Sequence, residues 1–273
     1  METATSDRAA ETPGIVDHPR FSTVKKKKLF IAVPIYGGVD PNFFTATLKF
    51  MRDSIMNPNK KFDVEFAPNI GDSAVGRARN ALTRRFLESD CTDLLFIDSD
   101  LIYSNEQVEL IMSHDDEVVG GLYPKKQQGD PELVLNTIAN PQYKDGGMMM
   151  TVRYIGTGFI RIKRSVFEKM IERWGDEIEY KLDPDHKTTE WDFWHMGAYN
   201  YAKNGYQNDW ATRYLSEDWW FCQRCQDLGI PIWADRRICL KHSGGAVYPL
   251  KYQEEKLYEQ VKQEPVPVPI HLK

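Results

Sequence analysis

The chain has 273 residues, 41% of them hydrophobic and 12% aromatic, enough to bury one large core. A formal net charge of −5 leaves no global basic field of the kind that drives sequence-independent binding to phosphate backbones, which weighs against a nucleic-acid partner without removing a local basic groove. No run of about 18 apolar residues occurs, the opening METATSDRAAETPG is polar and acidic, and Cys91, Cys222, Cys225 and Cys239 are too few and too unevenly placed for a disulfide framework. These features predict a soluble, unexported, cytoplasmic protein with no membrane span.

In chain order, residues 1–24 carry charge, Pro, Ser and Thr without a period and read as a disordered arm. Lys25 to Lys28 read as a solubilising block before a strand. LFIAVPIYG (29–37) predicts a first buried strand that stops at Pro34, and DVEFAP (63–68) a second. DSAVGRARNALTRRFLES predicts a helix capped by Asp72 or Ser73, with Val75, Ala78, Leu82 and Phe86 on one face. That helix delivers the chain into a third strand, LLFIDSD (94–100). Ser104 and Gln107 then form a capping box, EVVGGLYP returns as a strand, and TVRYIGTGFIRIKR reads as one longer strand. Ser165 and Glu168 repeat the capping signature for a helix that Gly175 closes.

From Asp176 to Leu215 no clean period survives, and the aromatic stretch from Trp191 to Trp210 reads as a lid over an acceptor for its Asn, Gly and Asp content, with core packing as the alternative. A last helix, EDWWFCQRCQDLG, leads into PIWAD and RRICLKH. Its Cys222 and Cys225 share an apolar face with Leu228 and read as core packing, not a zinc or redox pair. The PVPVPI run lies in a C-terminal tail (248–273) that cannot be helical. Short apolar runs alternating with amphipathic helices predict an α/β domain over 25–247, with a mostly parallel central sheet flanked by helices.

In such a sheet the carboxyl end of a strand opens into the ligand crevice, so Asp98 and Asp100 are presented there. Hard oxygen ligands in that position suit Mg²⁺ or Mn²⁺, and the ion in turn suits a diphosphate; the competing reading is an Asp-rich turn capping its own backbone amides. Tyr36, with Pro34, lies at the same crevice end, available to stack on a nucleobase or to pack half-buried. Arg77, Asn80 and Arg84 share a helical face, as cations near a diphosphate or as a solvated stripe. Glu217 and Asp218 open a helix, where they are favourable for dipole reasons alone or serve chemistry. His242, at a strand end before Ser-Gly-Gly, suits an imidazole ligand.

Together VPIYG, GRARN, FIDSD, IGTGFIRIKR, SED and KHSGG, in this order and spacing, resemble the GT-A (Rossmann-like) fold of nucleotide-sugar-dependent glycosyltransferases, family 2-like and of the short type common in bacteriophage and bacteria, over about Leu29 to Gly245. The resemblance implies that Asp98 and Asp100 are the DXD pair, that His242 completes the metal site, and that Asp218, beside Glu217, is the general base. It places Pro34, Tyr36, Asp72, Arg77, Arg79, Asn80, Asp98 and Ser99 around the nucleotide, and Gly156 and Gly158 where the backbone approaches the donor sugar. A UDP- or GDP-sugar donor and a Mn²⁺ or Mg²⁺ ion follow, with a glycan, a protein or hydroxylated DNA bases as acceptor. Retaining relatives share the same motifs, and in such an enzyme Asp218 orients a substrate instead of acting as base. Two alternatives use the same acidic pair: a nucleotidyltransferase, and a haloacid-dehalogenase-like phosphatase, which expects Thr or Val where Ile102 stands.

Overall fold

The computed structural model describes residues 26–127, 131–182, 185, 187–206, 211–244 and 247–249; the expected N-terminal arm, most of the C-terminal tail and Trp210 lie outside them. Strand β1 (Lys28–Ile35) buries five consecutive residues because it has a parallel neighbour on each side. Pro34 does not end it. Pairing on one side stops at Ala32, so beyond that point a missing N–H breaks no ladder bond there. Helix α1 (Pro41–Met56) is absent from the sequence expectations, although its signal is present: Asp40 accepts from the N–H groups of Asn42 and Phe43, Pro41 opens the helix, and Phe43, Thr47 and Phe50 form its buried face.

Strand β2 (Asp63–Ile70) precedes α2 (Val75–Glu88), whose Ala78, Leu82 and Phe86 are buried as expected. The N-cap of α2 is Ala74, and Asp72 instead accepts the Ala74 N–H. After the fully buried β3 (Asp93–Ile97) come β4 (Leu101–Ile102) and α3 (Asn105–Ser113), opened by the predicted capping box of Ser104 and Gln107. Next are β5 (Val118–Leu122), β6 (Leu135–Thr137), β7 (Tyr143–Lys144), β8 (Met149–Ile155) and β9 (Phe159–Lys163). The single long strand expected here is therefore two, broken at residues 156–158. Helix α4 (Arg164–Ile178) has Lys163 at its N-cap and runs through Gly175; Ser165 donates to Glu117 rather than capping.

Strands β10 (Glu179–Tyr180), β11 (Glu190–Trp191), β12 (Gly197–Asn200) and β13 (Thr212–Leu215) form two small hairpin-like pairs ahead of α5 (Glu217–Asp227). The chain then enters β14 (Ile232–Cys239), one strand with a register shift between Asp235 and Cys239 where two segments were expected, and finishes the described region with β15 (Lys241–Ser243) and β16 (Val247–Pro249).

The main sheet has the order β2-β1-β3-β9-β5-β14-β8-β6, with β7 beside β8, and all its strands point one way except β8 and β9. This is the mixed α/β class expected, a mostly parallel central sheet with α2, α4 and α5 packed on one face and α1 and α3 on the other. The aromatic stretch after β11 is not an exposed lid. Phe193 and Trp194 belong to the main core, and Tyr199, Tyr201 and Tyr206 form a satellite core with Leu215. Its described rings supply apolar burial, while Asp192 accepts from Asn80. Cys222 and Cys225 are core residues as expected. Among the described residues no helix is long and apolar enough to cross a membrane.

Candidate active site

Strand direction brings five chain segments to one edge of the sheet. The carboxyl ends of β1, β3 and β5 lie there, the 156–158 turn enters β9 there, and β14 leaves there for β15. The Asp98 N–H donates to the Gly158 carbonyl at 2.9 Å, tying the acidic turn to the start of β9. Strand β15 pairs with β4, which sets His242 opposite Leu101, and the Ser243 N–H donates to the Asp100 carbonyl at 2.8 Å. A residue late in the chain is thus fixed beside the acidic pair by backbone bonds.

His242 Nδ1 lies 2.8 Å from the Pro124 carbonyl oxygen, an atom that can only accept, so Nδ1 carries a proton and donates it there, which turns the other ring nitrogen, Nε2, to the opposite side. That nitrogen faces Asp100 Oδ1 at 3.4 Å. Asp100 Oδ1 is buried and without a hydrogen-bond partner, while Oδ2 is held by Lys126. Burial pushes the Asp100 carboxyl up, and its contacts with His242 and Lys126 more than offset this, holding it below the usual carboxylate range. A carboxylate oxygen and an imidazole nitrogen set side by side, with the far ring nitrogen pinned to a carbonyl, are the donor types a divalent cation takes.

Asp98 is not turned toward that pair. Its Oδ1 accepts from Arg79 Nη2 at 2.9 Å. The three expected metal ligands are therefore not gathered together: among the described residues no group of three or more His, Cys, Asp or Glu side chains is placed to hold an ion. Arg79 itself is only 3% exposed, lying over the Phe96 ring at 5.0 Å with its Nε 3.8 Å from Glu217 Oε1. It sits beneath the crevice and orients carboxylates from two elements. Gly76 makes this possible, since a Cβ there would come within 2.5 Å of the Trp194 carbonyl oxygen, and that close approach seats α2 against the start of α5.

At that start, Asp218 Oδ1 accepts from Ser216 Oγ and from the Trp219 N–H. Burial raises the Asp218 carboxyl above its usual range, against the pull of those donors and of Arg79. Glu217 is raised for the same first reason, opposed by Arg79. Tyr123, just after β5, is enclosed among Asp98, Asp218 and Arg79, and its hydroxyl accepts the Gly158 N–H at 2.9 Å. Burial raises its hydroxyl first and Asp98 second, so it stays a neutral phenol.

Beside this cluster opens a cleft of about 520 Å³ lined by Pro34, Tyr36, Asp40, Asp72, Ser99 and Asp100. The Tyr36 ring stands 71% exposed at the rim, free of core packing. Other expected nucleotide residues lie elsewhere. Asn80 is 4% exposed, donates to Asp192 and accepts the Trp194 N–H, so it fastens the 192–194 segment. Arg77 is exposed and clamps Asp72 through both of its carboxylate oxygens. Gly156 and Gly158 offer no open approach to a sugar: a Cβ at either would strike the Tyr123 hydroxyl, and at Gly158 also Asp98. Their smallness makes room for protein side chains.

Asp40, Tyr123, Lys126 and Ser243 belong to this edge and were not singled out from sequence. Asp40 Oδ2 accepts from Ser243 Oγ at 2.6 Å. The Asp-Pro helix start pointed to Asp40; the others carry no local signal, because only the topology brings them together.

No protein-family model matches the chain, and no curated protein matches it in sequence. Among solved structures it is similar to A197 from STIV, at 15% identity and a TM-score of 0.48 over 90% of this chain and 100% of that one. It is also similar to a glycosyltransferase involved in the glycosylation of the major capsid of PBCV-1, at 11% identity and a TM-score of 0.30 over 55% and 68% of the two chains. The inositol-1-phosphate CTP transferase from T. maritima shows 11% identity and a TM-score of 0.35 over 88% and 99%. Likenesses this faint fix neither a family nor an activity.

Proposed function

We propose that the chain is a metal-dependent glycosyltransferase, with residues 25–247 as its catalytic domain, that moves a sugar from a UDP- or GDP-linked donor to an acceptor hydroxyl of a glycan, a protein or a hydroxylated DNA base in the cytoplasm. The observation that carries it is the Asp100–His242 pair, 3.4 Å apart at the mouth of a cleft with an exposed tyrosine rim, together with Asp218, a buried carboxylate of raised pKa. Asp100 and His242 would hold Mn²⁺ or Mg²⁺, which when bound spreads the charge developing on the leaving diphosphate. Tyr36 would stack on the base, while Pro34, Asp72 and Ser99 shape the cleft around the nucleoside. Arg79 orients Asp98 and Glu217 from below.

In the transfer, the bond from the anomeric carbon to the donor phosphate oxygen breaks and its electron pair leaves with the nucleoside diphosphate. The acceptor oxygen bonds to that carbon and its proton passes to Asp218, whose raised pKa suits it to take one. The clasp of Arg79 on Asp98 speaks against Asp98 as a phosphatase nucleophile. Incubation with Mn²⁺ and a panel of nucleotide sugars tests the reading: slow release of UDP or GDP supports it. No hydrolysis and no thermal shift from any nucleoside diphosphate with metal sinks it, and pyrophosphate release would mark nucleotidyl transfer instead.

A further inference from the structure

We infer that a second pocket, at the base of α5, receives an acidic saccharide, a sugar carrying a carboxylate or a phosphate, as the acceptor. The word acceptor rests on the transferase reading above; the anion rests on the pocket itself. The pocket encloses about 470 Å³ between the β6–β8 edge, β13 and the first turn of α5. It touches the crevice at two places. In α5, Asp218 turns toward Arg79 and Asp98 while its neighbour Trp219 lines the pocket. After β5, Lys126 reaches Asp100 while its neighbour Lys125 lines the pocket.

The charge is the main observation. Arg153, on β8, is only 6% exposed, yet among the described residues no carboxylate lies within 4.0 Å of it, and its buried Nε has no hydrogen-bond partner. Its guanidinium is instead packed 5.0 Å from the Tyr154 ring centre and 5.3 Å from that of Tyr201. A buried guanidinium without a counter-ion is costly, and a ligand oxyanion that accepts from it relieves that cost. Arg213 and Lys125 add positive charge to the same lining, and its one carboxylate, Glu132, is paired with Lys125 at 2.8 Å.

The remaining walls specify a ring. Trp219 stacks on Tyr154 with centroids 5.2 Å apart and an interplanar angle of 16°, and Tyr214 adds a second, largely exposed aromatic face. Flat aromatic surfaces pack against the C–H face of a sugar, and Asn136 and Thr137 in the same lining offer groups for its hydroxyls.

Titration of the full chain with glucose, glucuronate, glucose 6-phosphate and inorganic phosphate, followed by calorimetry, separates the possibilities. Glucuronate or glucose 6-phosphate should bind about tenfold or more tightly than glucose, and Arg153→Gln should abolish the difference while leaving UDP–Mn²⁺ binding unchanged. The carboxylate and phosphate arms identify which oxyanion fits. Equal binding of glucose and the acidic sugars, or anion binding indifferent to Arg153→Gln, overturns the inference. If that variant fails to fold, Lys125→Gln with Arg213→Gln, both on exposed side chains, should weaken the acidic sugars at least about threefold, and no change overturns it equally. Acidic-sugar binding that depends on Arg153 without any nucleotide binding supports the pocket and removes the transferase reading. Nucleotide binding without it removes the pocket alone.

Discussion

Two polar regions of this molecule sit near opposite ends of the same helix, α5, and they are built on opposite principles. Toward its C-terminal end, Asp227 accepts from Tyr199 and Tyr206, both at 2.8 Å, and from Gln223 at 3.0 Å; Gln223 in turn accepts from Tyr154 at 2.7 Å. Each member has a partner. Near the N-terminal end, Asp100 Oδ1 and Arg79 Nε and Nη1 are buried without hydrogen bonds. Folded proteins seldom leave such atoms unpaired, since each costs about 1–3 kcal/mol. The first network is closed on itself, and the second leaves polar atoms open. Burial raises both Asp218 and Asp227, so a perturbed carboxylate by itself does not tell the two regions apart.

The contrast can be broken by exchanging what each region loses on mutation. Asp100→Ala should weaken metal-dependent binding of nucleoside diphosphate by at least about a hundredfold, read by calorimetry with and without Mn²⁺, while leaving thermal stability nearly unchanged. Asp218→Asn should spare nucleotide binding and slow transfer about 10²- to 10⁴-fold in a product assay. The sign of its pH effects follows from the raised pKa. As the ionised form is the base, wild-type transfer should fall as pH drops through a value above the ordinary 3.8. For stability the direction reverses: the contribution of Asp218 is full below 3.8 and declines as pH rises through the folded-state value, so Asp218→Asn should be no less stable than wild type at neutral pH.

In the satisfied region, Asp227→Ala strands two tyrosine hydroxyls and an amide and should cost about 2–4 kcal/mol in denaturant unfolding, with nucleotide affinity unaltered. Tyr199→Phe removes a single donor and should cost about 1 kcal/mol. A large loss of nucleotide binding in either of these variants, or a large loss of stability in Asp100→Ala, would erase the distinction.

The alternating apolar pattern made the sheet and most helices legible. Leu94 to Ile97 is greasy throughout because β3 has neighbours on both sides and helices on both faces, and the Ser104–Gln107 box marked α3 to the residue. Sequence reading failed where tertiary contacts overrode local pattern. Gly175 looked like a helix stop, but nothing at its position requires a left-handed backbone, so α4 runs on to Ile178. The residues 156–158 looked like strand interior and are a turn shaped around the Tyr123 hydroxyl. Asp98, Asp100, Asp218 and His242 were legible as polar groups at strand or helix ends. Their orientation was not. That Arg79 would clasp Asp98 from below, and that Asn80 one position on would face another segment, depends on helix packing that spacing alone does not encode.

The β15 strap has a consequence for how the molecule matures. Its bond from Ser243 to Asp40 spans 203 positions, and its pairing with β4 carries His242 to Asp100. During synthesis the acidic turn, the first helix and most of the sheet emerge well before this closing piece, so the contact of His242 with Asp100 forms last. A ribosome-stalled or clipped chain ending at Leu240 would carry nearly all of the scaffold and lack the strap that sets His242 beside Asp100.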